Sequence, residues 1–193
     1  MTAPRTPLRR RLRIAGIAAL CIAALPATLG AKMGVDQLTG NFHTVIPGEL
    51  YRSGQPSGDD VALYAKQYGI KTILNLRNEK RTEWYADEVA AAKQAGITLI
   101  DLPLSSKKVL SNEDGARLAA LMRDAPKPLL IHCEHGANRT GLASAIYLGA
   151  VAGRSELEAE LQISPLYGHV PIRGIGRYQM YQSWDAFEET IGF

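Results

Sequence analysis

A cysteine and an arginine, six residues apart, are the residues best suited to chemistry in this chain. They lie in one ten-residue run, which reads His132-Cys133-Glu134-His135-Gly136-Ala137-Asn138-Arg139-Thr140-Gly141. Cysteine is nucleophilic as the thiolate, and a guanidinium together with backbone N–H groups stabilises that charge. The same groups bind an oxyanion such as a phosphate, because an arginine fork pairs with two of its oxygens. We therefore expect Cys133 to be a nucleophile and Arg139 to clamp an anion.

The residues between and beside this pair have simpler expected roles. The backbone N–H groups of residues 134–138 would contact the anion. Gly136 suits a point where the backbone passes close to a ligand or turns through a positive φ. The Thr140 hydroxyl could donate to the thiolate or cap the following helix, and the sequence leaves both roles open. A buried structural thiol is the ordinary alternative for Cys133.

An apolar stretch precedes the run and a helical pattern follows it. Residues 128–131 read as a buried strand and residues 142–148 as a helix, so the run forms a tight strand–loop–helix turn. Such a turn aims successive N–H groups and the positive end of a helix at one point. That arrangement is a natural anion site.

Further strands and helices alternate along the rest of the chain. Strands are predicted at 49–53, 71–76 and 97–102, and helices at 61–68, 82–95, 113–124, 142–152, 155–163 and 178–189. Alternation of this kind predicts an α/β fold with a mainly parallel central sheet flanked by helices. Ligands bind at the carboxyl ends of such strands. Residues 75–77, 101–103 and 132–133 should therefore converge on the site.

The first 31 residues have the composition of an export leader. Five arginines precede an uncharged segment, 14–31, that is rich in alanine, isoleucine and leucine. This order is typical of a signal peptide or of a membrane signal anchor. Residues 32–41 read as a polar linker and residues 42–193 as one domain. We expect that domain to be exported, with membrane contact only through the leader.

The charge balance and the histidine and cysteine positions bear on nucleic-acid binding, on metal binding and on disulfide formation. Without the five leader arginines, 17 of the 22 basic residues remain beside 19 acidic ones. A nearly neutral domain gives no support for nucleic-acid binding. Four histidines and two cysteines show no metal-ligand spacing, so no metal or other cofactor is expected. Once the leader is removed, Cys133 has no cysteine to pair with and stays a free thiol.

The ten-residue run resembles the His-Cys-x-x-Gly-x-x-Arg-Thr-Gly signature of the cysteine-based protein-tyrosine phosphatase superfamily. Residues 50–56 (Leu-Tyr-Arg-Ser-Gly-Gln-Pro) and 75–77 (Asn-Leu-Arg) are similar to its dual-specificity branch. That branch includes periplasmic bacterial tyrosine phosphatases and atypical plant and fungal enzymes. The resemblance implies a hydrolase of phosphotyrosine, and also of phosphoserine or phosphothreonine, that works through a phosphocysteine intermediate.

The resemblance also assigns roles to individual residues. Cys133 would be the nucleophile, and the substrate would be bound by Glu134, His135, Gly136, Ala137, Asn138 and Arg139. His132 would orient the loop and, with Thr140, support the thiolate. The implied partner is a phosphorylated protein or a small phosphorylated molecule. We expect a monomer that is periplasmic or anchored to the inner membrane.

One residue that the resemblance implies is missing. Family enzymes place a general-acid aspartate in the loop after the strand predicted here at 97–102. The expected position is near residues 105–107, where this chain has Ser105-Ser106-Lys107. Asp101, Glu113 and Asp114 are the nearest carboxylates, and the sequence does not decide between them.

The missing aspartate leaves other functions open. An inositol pyrophosphate would need little protonation of its leaving group, and Lys107, Lys108, Arg52 and Arg77 could bind its additional phosphates. A catalytically weak module that binds phosphorylated ligands is a second alternative. A sulfur-transfer protein also uses a cysteine in a strand–loop–helix turn, but the presence of Arg139 disfavours it.

Overall fold

Five strands and seven α-helices make up residues 7–79, 82–174 and 176–193, the part of the chain that the structure, a computed structural model, describes. The strands are β1 (His43–Ile46), β2 (Leu50–Ser53), β3 (Thr72–Asn75), β4 (Thr98–Asp101) and β5 (Leu129–His132). The helices are α1 (Pro7–Leu38), α2 (Gly58–Tyr68), α3 (Glu83–Ala95), α4 (Asn112–Asp124), α5 (Asn138–Ile146), α6 (Glu156–Glu160) and α7 (Tyr178–Ile191). A π-helical turn (Tyr147–Val151) follows α5, and 3₁₀ turns cover Leu161–Ile163 and Pro165–Tyr167.

The strands form one sheet in the order β1-β2-β5-β3-β4, with β5 in the middle. Strand β5 runs parallel to β2 and β3, and β3 runs parallel to β4. Strand β1 pairs antiparallel with β2 at the edge. The predicted α/β fold with a mainly parallel sheet is therefore confirmed. The sequence prediction misses β1, because its four residues are only partly buried and show no apolar alternation.

Helices cover both faces of the sheet and bury the middle strand completely. Successive side chains of a strand point to opposite faces. Leu129 and Ile131 of β5 pack with α4, α5 and α7, whereas Leu130 packs with α2 and α3. The residue that follows β5 is thus held by a strand with neighbours on every side.

Most predicted helices begin and end close to their predicted bounds. Helix α2 starts after Ser57, whose hydroxyl accepts from the Asp60 N–H while the Asp60 carboxylate accepts from the Ser57 N–H. The helix predicted from residue 142 instead begins at Asn138, because the second half of the ten-residue run already turns helically. It changes into the π-helical turn at Tyr147.

Helix α1 extends further than the sequence indicates. Its last turns, which are predicted as part of a linker over residues 32–41, stay helical to Leu38. They are tied to the domain, since Lys32 Nζ donates to the Leu166 carbonyl (2.6 Å) and Gln37 Nε2 to the His135 carbonyl (3.0 Å). The first leader arginine, Arg5, lies outside the described residues. Within those residues, no helix is both long enough and apolar enough to span a membrane.

Candidate active site

Cys133 lies directly after β5, at the carboxyl end of the central strand, and is 2% exposed. In the sheet register, Asn75 of β3 stands opposite both His132 and Asp101. The three strand ends that the sequence expects to converge therefore do so.

Three successive carbonyl groups of the loop after Cys133 are held by donors outside the loop. The bonds run from the Gln55 N–H to the Glu134 carbonyl (3.1 Å), from Asn41 Nδ2 to the His135 carbonyl (2.8 Å) and from Arg52 Nη2 to the Gly136 carbonyl (2.8 Å). In a trans peptide the following N–H points opposite to the carbonyl. The N–H groups of residues 135–137 are therefore turned to the inside of the loop.

No backbone N–H of residues 134–140 donates to a protein acceptor in the described chain. These donors lie at the start of α5, where the helix dipole adds partial positive charge. Orphan N–H groups gathered at a helix start form an anion site. The loop thus has the geometry to stabilise both a thiolate on Cys133 and a bound oxyanion.

Gly136 allows this loop to lie against β2. Its φ is +67°, which favours glycine. A β-carbon there would lie 2.6 Å from the Gly54 nitrogen and 2.6 Å from the Ser53 carbonyl carbon. Any side chain at this position would therefore push the loop away from the end of β2, the strand whose Arg52 holds the Gly136 carbonyl.

Among the described residues, the Arg139 guanidinium makes one hydrogen bond and one long-range ion pair. Its Nη1 donates to the carbonyl of Leu76, just beyond β3 (3.2 Å). Its Nε is buried without a partner among the described residues, and Nη2 lies 4.0 Å from Oε2 of Glu134. The remaining donors are available for a ligand, as a bidentate clamp requires.

The two polar residues proposed to support the thiolate are fully buried. Nε2 of His132 lies 2.7 Å from Oε1 of Glu88, a carboxylate of α3 that is also fully buried. Thr140 does not cap α5, since that helix begins after Ala137 without a side-chain cap. The Thr140 hydroxyl has no partner in the described part of the chain, so it remains a donor for an anion in the loop.

Arg52 is a buried cation behind the loop rather than a free phosphate ligand. Its Nη1 donates to the main-chain carbonyl (3.0 Å) and the side chain (2.8 Å) of Gln162, and its guanidinium stacks on the Tyr167 ring at 4.0 Å. Burial lowers the pKa of Arg52 to about 10, while the nearby Tyr167 and Cys133 oppose the shift. Arg52 is still charged at neutral pH and its field reaches Cys133.

Arg77 is likewise committed to protein partners. It stacks on Trp84 at 3.8 Å, donates to Gln55 Oε1 (3.1 Å) and pairs with Glu79. The expectation that Arg52 and Arg77 bind additional phosphates is therefore not met by this geometry. Lys107 and Lys108 remain exposed.

His169, in the segment before α7, also supports the start of α5, and the sequence alone does not connect this residue with the site. Nδ1 of the buried His169 lies 2.7 Å from Oδ1 of Asn138, the first residue of α5. Burial and the positive charge of Arg52 lower the pKa of His169 to about 4. His169 is thus neutral near pH 7 and can donate one hydrogen bond to Asn138.

The carboxylates considered as general acids have other partners. Asp101 accepts from Asn75 Nδ2 (3.0 Å) and from the Tyr85 hydroxyl (2.6 Å), and the latter bond raises the pKa of Tyr85 to about 12. In the first turn of α4, Glu113 pairs with Arg117 and Asp114 accepts from the Ser111 hydroxyl. Glu134 is a half-exposed carboxylate within the loop itself, and its Oε2 lies 4.0 Å from Nη2 of Arg139.

Comparisons with known proteins agree with this site. A family described as DSP-PTPase phosphatase fused to NAD+ kinase matches residues 39–170, which include the whole loop. The dual specificity protein phosphatase TpbA of Pseudomonas aeruginosa is 31% identical over 118 residues, covering 58% of this chain and 48% of its own length. The inositol diphosphatase SIW14 of Saccharomyces cerevisiae is 31% identical over 106 residues, covering 52% of this chain and 36% of its own length. The chain thus spans about half or less of the length of these relatives.

Solved structures show the same fold. A form of P. aeruginosa TpbA in complex with phosphotyrosine superposes with a TM-score of 0.58 at 22% identity, covering 79% of this chain and 91% of that one. The core catalytic domain of S. cerevisiae SIW14, in complex with citrate, gives a TM-score of 0.59 at 22% identity, covering 78% and 90%. Since the family match covers more than half of the chain, the protein belongs to the DSP-PTPase family of dual-specificity, cysteine-based phosphatases.

Proposed function

We propose that this protein hydrolyses phosphomonoesters through a phosphocysteine on Cys133. The observation that carries the proposal is the set of unpartnered N–H groups of residues 134–140, which surround the position after β5. In the first step the thiolate attacks phosphorus and an S–P bond forms while the ester P–O bond breaks, so that the alcohol oxygen leaves with the bonding electrons and takes a proton from water. In the second step water attacks phosphorus and gives up a proton to solvent, the S–P bond breaks, and phosphate and the thiolate are released.

The loop residues would act mainly by electrostatics. The N–H groups of residues 134–139 would bind the non-bridging phosphate oxygens, and Arg139 would clamp two of them. Arg52 would add positive charge from behind the loop, where its field reaches Cys133. His132 and Thr140 would support the thiolate before attack and after hydrolysis.

The position of the carboxylates favours an aryl phosphate as substrate. No carboxylate lies at residues 105–107, and those of Asp101, Glu113 and Asp114 are engaged elsewhere. A phenol has a pKa of about 10, well below that of an aliphatic alcohol, so it leaves with less help from an acid. Phosphotyrosine is therefore favoured over phosphoserine and phosphothreonine. The complex of TpbA with phosphotyrosine supports the same substrate class.

An inositol pyrophosphate is the second candidate substrate. Two observations favour it, namely the missing general acid and the similarity to the inositol diphosphatase SIW14. The charges at the site weigh against this substrate. Arg52 and Arg77 are already bound to protein groups, and Glu134 adds a negative charge near Arg139. The alternative that the protein binds phosphorylated ligands without hydrolysing them is tested by the same experiment.

Steady-state assays of the full chain test the proposal. We expect turnover of a phosphotyrosine peptide in the presence of a chelator, lower turnover of a phosphoserine peptide and of an inositol pyrophosphate, and no turnover by Cys133→Ser. Faster turnover of the inositol pyrophosphate would favour the second candidate. Binding of the peptide without any turnover would indicate a binding module and contradict the proposal.

We further propose that the domain is exported. The five arginines and the uncharged segment that follows support this. Cell fractionation should find the protein outside the cytoplasm, and the mass of its N-terminal peptide should distinguish a cleaved leader from a retained one. Recovery in the cytoplasm with an intact N-terminus would contradict export. We expect a monomer, and the sedimentation coefficient measures this directly.

A further inference from the structure

Glu88 is a fully buried carboxylate in the middle of α3. The other acidic residues of this helix, Glu83 and Asp87, are exposed. Removing a carboxylate from water costs several kcal/mol, and an apolar residue of similar size is often more stabilising at such a position. Stability of the fold alone therefore gives no reason for Glu88.

Contacts of the two carboxylate oxygens of Glu88 connect it to the residues before and after Cys133 in the chain. Oε1 lies 2.7 Å from Nε2 of His132, which precedes the cysteine. Oε2 accepts from Gln55 Nε2 (3.3 Å), and the N–H of Gln55 donates to the carbonyl of Glu134, which follows the cysteine (3.1 Å). One carboxylate thus contacts the loop directly at one end and through Gln55 at the other.

The charge of Glu88 must be balanced within this buried region. The titratable His132 lies 2.7 Å from Glu88, whereas Arg77 donates to Gln55, which in turn donates to Glu88. An opposite charge within about 4–6 Å favours the charged form of a titrating group. An imidazolium at His132 would balance the carboxylate of Glu88, which lies 2.7 Å away, and would place a positive charge one residue before the nucleophile.

Resting on the proposed function, we infer that Glu88 is a positioning residue, which keeps His132 protonated and oriented so that the imidazolium stabilises the Cys133 thiolate. Other charged or titratable groups face this region from every element around it. These are Arg52 from β2, Arg77 after β3, Tyr85 from α3, Asp101 from β4, and Glu134 and Arg139 from the loop and α5.

The sign of one measurement separates this role from a simple charge effect. Glu88→Gln removes a negative charge, which by direct Coulomb interaction would make the thiolate easier to form. If Glu88 acts through His132, the imidazole loses its charge and the thiolate becomes harder to form. The rate of iodoacetamide alkylation of Cys133 against pH reports which occurs, whether or not the protein turns over a phosphoester.

We expect Glu88→Gln to move the midpoint of the alkylation profile of the full chain about one pH unit higher, a tenfold loss of thiolate below the midpoint. The acidic limb of kcat/KM for a phosphotyrosine peptide should move with it. Asp87→Asn is the matched control, because it removes the same charge from an exposed neighbour, and it should move neither. An unchanged or lower midpoint in Glu88→Gln overturns the inference.

A measurement on the unmodified chain covers the case in which Glu88→Gln does not fold. Nitrogen-15 NMR of histidine-labelled protein distinguishes imidazolium from neutral imidazole, and His132→Gln identifies the resonance. We expect an imidazolium at neutral pH, and a neutral ring would overturn the inference. Alkylation that shifts as expected in a chain without turnover would support the inference while contradicting the proposed function.

Discussion

Gly136→Ala is the substitution whose effect the structure defines most sharply. An alanine there keeps a φ of +67° and brings its β-carbon to 2.6 Å from the Gly54 nitrogen and 2.7 Å from the Ser53 carbonyl oxygen. Ordinary contacts of this kind begin near about 3.4 Å, so the loop must move by nearly 1 Å because both neighbours are backbone atoms. A side chain at a left-handed φ costs about 1–2 kcal/mol, and overpacking adds about 1–3 kcal/mol.

Gly153→Ala is the matched control for this prediction. Gly153 also has a positive φ (+60°), but a β-carbon there meets nothing within 4 Å. Its expected cost is therefore the conformational part alone, about 1–2 kcal/mol. The difference between the two variants measures the close approach of the loop to β2.

Urea unfolding and steady-state kinetics together measure both effects. We expect Gly136→Ala to lose about 2–5 kcal/mol of unfolding free energy and about a hundredfold in kcat/KM for a phosphotyrosine peptide, since a displacement of about 1 Å is enough to misalign a reacting group. Gly153→Ala should retain its kcat/KM. Equal losses in the two variants, of stability and of activity, would refute the proposed packing of the loop against β2.

Three further predictions test the surroundings of the loop. Arg52→Lys keeps the charge, but one ammonium replaces the two guanidinium nitrogens that reach Gln162 and Gly136 separately. Unfolding experiments should therefore show a loss of about 2–4 kcal/mol, whereas the exposed control Arg154→Lys should stay within about 0.5 kcal/mol, and equal effects would contradict a supporting role of Arg52 behind the loop. His169 has a folded-state pKa of about 4, below its unfolded value of about 6.5, so stability should fall by up to about 3 kcal/mol as pH drops through that window. Unfolding curves of His169→Asn should lack this slope, and the same slope in both proteins would contradict the assignment. Glu134→Lys replaces a negative by a positive charge in the loop, so it should raise kcat/KM for an inositol pyrophosphate relative to a phosphotyrosine peptide by about tenfold. An unchanged ratio of the two kcat/KM values would contradict the proposal that the charge of Glu134 disfavours the inositol pyrophosphate.

The contiguous part of the site could be predicted from sequence because its chemistry is local. Cys133, Gly136 and Arg139 lie within seven residues, and their spacing specifies a strand–loop–helix turn. Helix starts and stops such as Ser57 and Gly69 are also local signals, and the structure places them at the ends of α2.

The supports of the loop could not be predicted, because they come from distant parts of the chain. Asn41, Gln55, Glu88 and His169 meet the loop only through the strand order and helix packing. A glutamate in an amphipathic helix ordinarily faces solvent, and no local pattern distinguishes the buried Glu88 from its exposed neighbours. The continuation of α1 to residue 38 depends likewise on bonds to the domain, which a polar composition does not reveal.

Trapping of the covalent intermediate tests the central claim most directly. The full chain would be mixed with a phosphotyrosine peptide, quenched in acid during turnover and digested, and the peptides would be mapped by mass spectrometry. We expect one phosphoryl group on Cys133, at a level that falls as substrate is exhausted. A turning-over enzyme that carries its phosphoryl group on another residue, or carries none at any time, would contradict the proposal that this sulfur is the nucleophile.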